Sequence, residues 1–441
     1  MTREKHFHPF AALRFLRKTL AVYLIPLVNV LFERNWGAFW AALRQDLILF
    51  ALLCGVSWVI LRFSSWQLDE AGVLHVRWKL FFQLDTMVRG EALAAITIDR
   101  PALFRLAGAS RITLYPTGQT AGRTLSLCLR RADAQFLADT LLPVEDPTLH
   151  TPAGSERAAL VLLGANGLST LALLALAVRQ TRGFSLDAET LAFAQLGQVA
   201  AFAARWLPAG AAWLLTLAAA LFGASLVRSF AQTVHYEVWH TAAQLGSRGG
   251  WIDRFECRVR ITQISFADVR VSPVARVLKR WPVFVTAGCC APELPLFVYR
   301  SGGEALFREL LPEFQMPPDL EADTTGRSLI FLAPAGIPFA LCALLTLVSV
   351  TVLPALTVPL LLPTLFFLVL LGGGVMGYRR EGLWLRGGRL TLRRQEGIYL
   401  HCICVFHPDL CLTALQSPWA AAADRTNLTV SFPGRVKLKV R

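Results

Sequence analysis

Long uncharged runs alternate along this chain with stretches where apolar and polar residues exchange every second position. A membrane-spanning helix needs roughly 20 apolar residues at about 1.5 Å rise each. Six runs meet or approach that length: Thr19–Phe32, Leu47–Leu61, Ala158–Val178, Trp206–Val227, Ser328–Val352 and Leu356–Met376. The first is short and would draw on snorkelling of Arg14, Arg17 and Lys18 to reach full depth. Pro354 predicts a tight turn between the last two, because proline interrupts helical hydrogen bonding.

Each pair of apolar runs is followed by a polar block in which period-2 alternation predicts strands. The blocks occupy 64–143, 236–314 and 378–441, and the intervening segments are 1–63, 144–235 and 315–377. Their entry residues, Trp66, Tyr236 and Tyr378, are 170 and 142 positions apart, which marks an internal repeat. Glu70-Ala-Gly72-Val-Leu-His-Val-Arg77 in block one parallels Arg380-Glu381-Gly382-Leu-Trp-Leu-Arg386 in block three: a turn glycine, then alternation. All three blocks read strand, short basic link, strand. Blocks one and two end in amphipathic helices, with Phe136, Leu137, Thr140 and Leu141 on one face in block one, and Phe307, Leu310 and Leu311 in block two. Block three ends on the strand Val436–Val440 without such a helix and reads as truncated. The expected fold class is an α + β membrane protein with six transmembrane helices in three hairpins, each hairpin followed by a β-rich domain.

Composition agrees with a membrane assignment. The 441 residues are 54% hydrophobic and 17% charged, with mean hydropathy +0.48; soluble chains carry about 25% charged residues. The net charge of +14 fits either nucleic acid or an anionic membrane surface. The apolar runs favour the membrane, and no interleaved aromatic and basic platform supports nucleic acid. Under the hairpin arrangement only Arg34, Arg44, Arg179, Arg182 and Arg205 of the 44 Lys and Arg fall on one side, leaving 39 on the other. The positive-inside rule therefore places both termini and all three blocks in the cytoplasm. Nine scattered cysteines without a regular framework predict reduced thiols. The start, Met1 to Phe10, does not read as a cleavable signal peptide.

The strongest candidate surface is basic. Arg254, Arg258 and Arg260 share strand parity and would line one face, and Arg270, Arg276, Lys279 and Arg280 follow on the next link. Each cation beside an anionic leaflet contributes about 1 kcal/mol; an ordinary solvated face is the competing reading. Arg393, Arg394, Lys437 and Lys439 form a second patch. His401-Cys402-Ile-Cys404-Val-Phe-His407 is the most metal-like cluster, but strand parity points His401 away from the two cysteines, so a core strand is expected and no metal. No phosphate-binding loop, His-Glu-x-x-His or Gly-x-Ser-x-Gly occurs. No catalytic residue or cofactor is expected.

These residues resemble the YdbT-like bacterial membrane proteins, which carry several pleckstrin-homology-like (PH-like) domains, each after a membrane hairpin. The resemblance rests on His8-Pro9, Tyr236, Ile261-Thr-Gln263-Ile264, Ser272-Pro273 with Arg276, and Thr286-Ala-Gly288. Block one adds Arg100, Phe104-Arg105-Leu-Ala-Gly108 and Thr117-Gly118, with Trp66 in place of the usual tyrosine. Block three adds Tyr378, Glu381-Gly382 and Ser417-Pro418. It implies a cytoplasmic PH-like β-sandwich per block and no catalytic residues. The expected function is a non-enzymatic inner-membrane scaffold, multi-pass, whose domains bind protein partners, each other or anionic lipid headgroups. The alternative is a transporter or export component with a path between the hairpins.

Overall fold

The computed structural model describes residues 4–11, 36–79, 83–117, 124–164, 197–198, 201, 205, 209–292, 294–314, 327–352, 357–386, 389–396, 399–405, 411–432 and 437–440. The chain forms two compact units. One comprises Met1–Leu114, Thr124–Thr241 and Gly246–Arg258; the other comprises Tyr115–Arg123, Ala242–Leu245 and Val259–Arg441.

Strand β1 (Lys5–His6) and helix α1 (Trp36–Phe63) precede block one. Its first half is β2 (Ser65–Leu68), β3 (Val73–Lys79) and β4 (Gln83–Arg89). Its second half is β5 (Leu93–Arg100), the short helix α2 (Ala102–Leu106), β6 (Ala109–Pro116) and β7 (Leu125–Arg130), closed by helix α3 (Arg131–Leu141). Next come β8 (Thr148–His150), α4 (Gly154–Gly164) and α5 (Ala209–Thr233). Block two repeats the order: β9 (Glu237–His240), β10 (Gln244–Gly249), β11 (Arg254–Arg260), then β12 (Ile264–Val271), α6 (Pro273–Leu278), β13 (Arg280–Ala287), β14 (Phe297–Arg300) and α7 (Ala305–Leu310). Helices α8 (Arg327–Val352) and α9 (Thr357–Arg380) lead to block three: β15 (Gly382–Arg386), β16 (Arg389–Glu396), β17 (Tyr399–Val405), then β18 (Cys411–Leu415), α10 (Pro418–Ala422), β19 (Asn427–Ser431) and β20 (Lys437–Val440).

The helices correct the expected fold class. Among the described residues only Leu332–Val352 is long and apolar enough to cross a membrane, at 21 residues and mean hydropathy 2.2, with 11% of that window buried. The described chain holds four sheets and this one candidate span, not six spanning helices in three hairpins. The expected span Trp206–Val227 overlaps α5, which begins at Ala209. The expected span Leu47–Leu61 lies within α1 and Leu356–Met376 overlaps α9; among the described residues their apolar stretches are Cys54–Phe63 and Pro363–Val375. The expected span Thr19–Phe32, most of Ala158–Val178 and the turn at Pro354 lie outside the described residues. Pro334 and Pro338 sit inside α8 without ending it, and Thr346 and Thr364 bond α8 to α9 through their hydroxyls at 2.9 Å.

The sheets differ from one closed sandwich per block. Their strand orders are β1-β2-β3-β4, β7-β6-β5-β11-β10-β9-β8, β14-β13-β12-β17-β16-β15 and β18-β19-β20. The second half of block one therefore continues into the first half of block two, through β5 and β11. Block two continues into block three through β12 and β17, antiparallel, with Asp268 opposite Ile403 and Arg270 opposite His401. Exposed strand edges invite pairing, and here the outer edges of β5 and β12 are covered by strands of the following block.

Within block one the halves share a core. Trp66, Leu74 and Val76 meet Leu93, Ile96, Ile98, Ile112, Leu127 and Leu129, with Ala134, Leu137 and Leu141 of α3 packed on them. Strand alternation explains the choice: Leu74 and Val76 point in, while His75 and Arg77 are half-buried between them. The buried face of α3 is Ala134, Leu137, Ala138 and Leu141, so Phe136, expected on the inner face, points outward. Block three builds its core from Leu390, Leu392, Ile403, Val405, Val430 and Phe432, and Phe266 of β12 joins it.

Candidate anion-binding surface

The Ser-Pro pairs read in the sequence start the link helices. Ser272 Oγ accepts from the Ala275 amide at 3.0 Å, and Ser417 Oγ from the Ala420 amide at 3.2 Å. Proline at the first helical position gives up only an amide that has no intrahelical partner. Block one lacks this serine. Pro101 stands at the cap, and Asp253, from the loop between β10 and β11, accepts from the Ala102 amide at 3.2 Å. Arg105 Nη1 donates to the Trp251 carbonyl at 2.8 Å, and the Trp251 amide donates to the Ala231 carbonyl in the last turn of α5 at 2.9 Å. Three segments are thus bonded into one corner. Its apolar side chains face out: Leu103 is 63% exposed, Leu106 87%, Trp251 62% and Ile252 49%.

A cavity of about 400 Å³ lies between the strands that flank this corner in the chain. Arg100 (the end of β5), Arg131 (the start of α3), Arg248 and Arg254 line it, with Gln135, His235, Glu237 and Glu256. Four arginines against two glutamates leave a formal excess of two positive charges. Arg248 donates through Nε and Nη2 to Glu237 Oε2, each at 2.7 Å. Glu256 is held by Arg258 at 2.6 Å. Arg100, Arg131 and Arg254 have no ion-pair partner among the described residues. Arg100 Nη2 donates to Gln135 Oε1 at 2.9 Å, while its Nε is buried without a partner. Burial, then the like charges of Arg131 and Arg254, hold the Arg100 guanidinium below its ordinary value, with Glu256 a partial offset. Convergent guanidinium groups with free donors suit an oxyanion, above all a tetrahedral phosphate.

No family profile, curated protein or solved structure matches the chain.

The basic residues expected from strand parity divide. Arg254 is exposed and lines the cavity. Arg258, four residues on, is 3% exposed and serves packing: it pairs with Asp139 at 2.7 Å and donates to the Leu142 carbonyl at 2.9 Å. Arg260 is half-buried at the end of β11. Arg270 donates to Asp268 at 2.8 Å and lies 3.7 Å over the Phe284 ring, so it too is engaged within its own unit. Arg276 lies in α6, Lys279 caps its C-terminus and Arg280 starts β13. That helix exposes Val274, Val277 (83%) and Leu278, as α2 exposes Leu103 and Leu106.

Arg131, Trp251 and Ile252 were not singled out from the sequence, and Arg100 was named only among the points of resemblance. The signal available was Gly249-Gly250 followed at once by Trp251-Ile252, two large apolar residues in a turn. Gly250 sits at φ +102, where a Cβ would collide with the Asp253 carbonyl. The metal-like cluster is a core strand where described. Burial pushes the Cys402 thiol up to about 11 and the Cys404 thiol up to about 12, and His401 bonds to Asp268 at 2.9 Å. His407 lies outside the described residues. Among those described, no three His, Cys, Asp or Glu side chains gather as a metal site.

Proposed function

We propose that the chain is a non-enzymatic membrane-attached adaptor that meets an anionic lipid surface through its strand-rich units. The reading keeps the non-enzymatic scaffold role expected from the sequence. One observation carries it: the exposed corner of Leu103, Leu106, Trp251 and Ile252 adjoins in the chain the cavity residues Arg100 and Arg254. Apolar side chains that would enter the interface next to cations that would take a headgroup phosphate are the combination a bilayer surface requires. Exposed apolar patches on soluble surfaces are otherwise small. The apolar helix Leu332–Val352 supplies the attachment. The anionic cytoplasmic leaflet of a bacterial inner membrane is the surface proposed.

Lipid retention tests this reading. The full chain is placed in nanodiscs of phosphatidylcholine with phosphatidylglycerol or phosphatidate, then released and weighed by native mass spectrometry. Preferential retention of the anionic lipid, reduced several-fold by Arg100→Gln with Arg254→Gln, is the expected result. Equal retention of neutral and anionic lipid, unchanged in the variant, would refute it.

A further inference from the structure

The seams between blocks follow one rule, used twice. The strand just before a link helix takes as its outer neighbour the last meander strand of the following block. β5, before α2, takes β11; β12, before α6, takes β17. In block three β18 stands in that place, just before α10, and among the described strands only β19 lies beside it. In block one β4 stands where β11 and β17 stand, last in its meander, and among the described strands only β3 lies beside it.

The two open edges look like the covered ones with the cover removed. Most of β12 is buried, as is the second half of β17, whereas all five residues of β18 are exposed. Leu412 and Leu415 on β18 are 55% and 67% exposed, and Leu84 and Met87 on β4 are 60% and 67% exposed. An open edge with apolar side chains is a template for strand addition, in which main-chain hydrogen bonds supply the join.

We infer that β18 of one copy accepts β4 of a second copy, antiparallel as β12 accepts β17, so that copies add head to tail. The occupant is a second copy because this chain already carries the matching strand, and because the same join is made within it twice. The contact is heterologous: each added copy brings one new β18 edge, and the series closes as a ring or grows as a filament. The inference stands independently of lipid binding.

The test uses the full chain in detergent, sized by mass photometry over a concentration series. Two variants charge the exposed positions only: Leu412→Lys with Leu415→Lys, and Leu84→Lys with Met87→Lys. The wild-type protein is expected to form species larger than one copy in a concentration-dependent way. Each variant alone is expected to stay a single copy. An equal mixture of the two is expected to give two-copy species and nothing larger, because one intact β18 meets one intact β4. That recovery also shows that each variant keeps a folded edge. A wild-type protein that remains a single copy throughout, a variant that assembles like wild type, or a mixture that stays as single copies would overturn the inference.

Discussion

Arg258 Nη2 lies 2.7 Å from Asp139 Oδ1, which joins the closing helix of block one to a strand of block two. The same guanidinium reaches Glu256 and the Leu142 carbonyl. One buried side chain therefore satisfies three acceptors at a seam where two repeats share a sheet.

Removing that side chain leaves those acceptors without their donor. Arg258→Met is expected to lower unfolding stability by about 3 kcal/mol, in the range for breaking a buried ion pair. Arg254→Gln, at an exposed position of the same strand, is expected to change it by less than about 0.5 kcal/mol. Urea unfolding of the detergent-solubilised chain separates the two. Equal effects would show that Arg258 is not the seam's anchor.

Asp253 caps a helix it does not belong to. Loss of a cap side chain typically costs about 1 kcal/mol, so Asp253→Ala is expected to destabilise α2 by that amount, while Asp253→Asn, which keeps an acceptor oxygen, largely preserves it. Hydrogen exchange at the Ala102–Leu106 amides reads this directly. Faster exchange is expected in the alanine variant alone.

The Cys402 and Cys404 thiols give stability a defined alkaline limit. Burial raises both, to about 11 and about 12. The fold thus favours the protonated thiols, which in the unfolded chain ionise near pH 9. Their contribution is complete below that pH and is lost as pH climbs through 9 towards 11. Cys404→Val is expected to flatten the alkaline slope. At pH 8 a maleimide is expected to label exposed Cys411 well before Cys402 or Cys404.

The seam shows why part of the fold could be read from the chain and part could not. Alternation around Leu74 and Val76, the turn at Gly72 and the Ser272-Pro273 and Ser417-Pro418 helix starts are local signals, and the structure uses them locally; Gly382, expected in a turn, opens strand β15 instead. Arg254 and Arg258 share strand parity, yet one is open and the other enclosed. Their difference is set by α3, more than a hundred residues away in sequence. The pairing of β5 with β11 is likewise non-local, because an open edge carries no residue code for its partner. The uncharged run Trp206–Val227 is a local signal as well, and the structure forms helix α5 over most of it.

The central claim is that the corner of Leu106 and Trp251 meets lipid. A photoreactive benzophenone side chain introduced at position 106 tests it most directly, in the full chain reconstituted into nanodiscs containing phosphatidylglycerol. Irradiation is expected to give protein adducts heavier by one phospholipid, with fewer adducts when Arg100 and Arg254 are replaced by glutamine. Absence of lipid adducts at position 106, while the same group within Leu332–Val352 yields them, would contradict the claim.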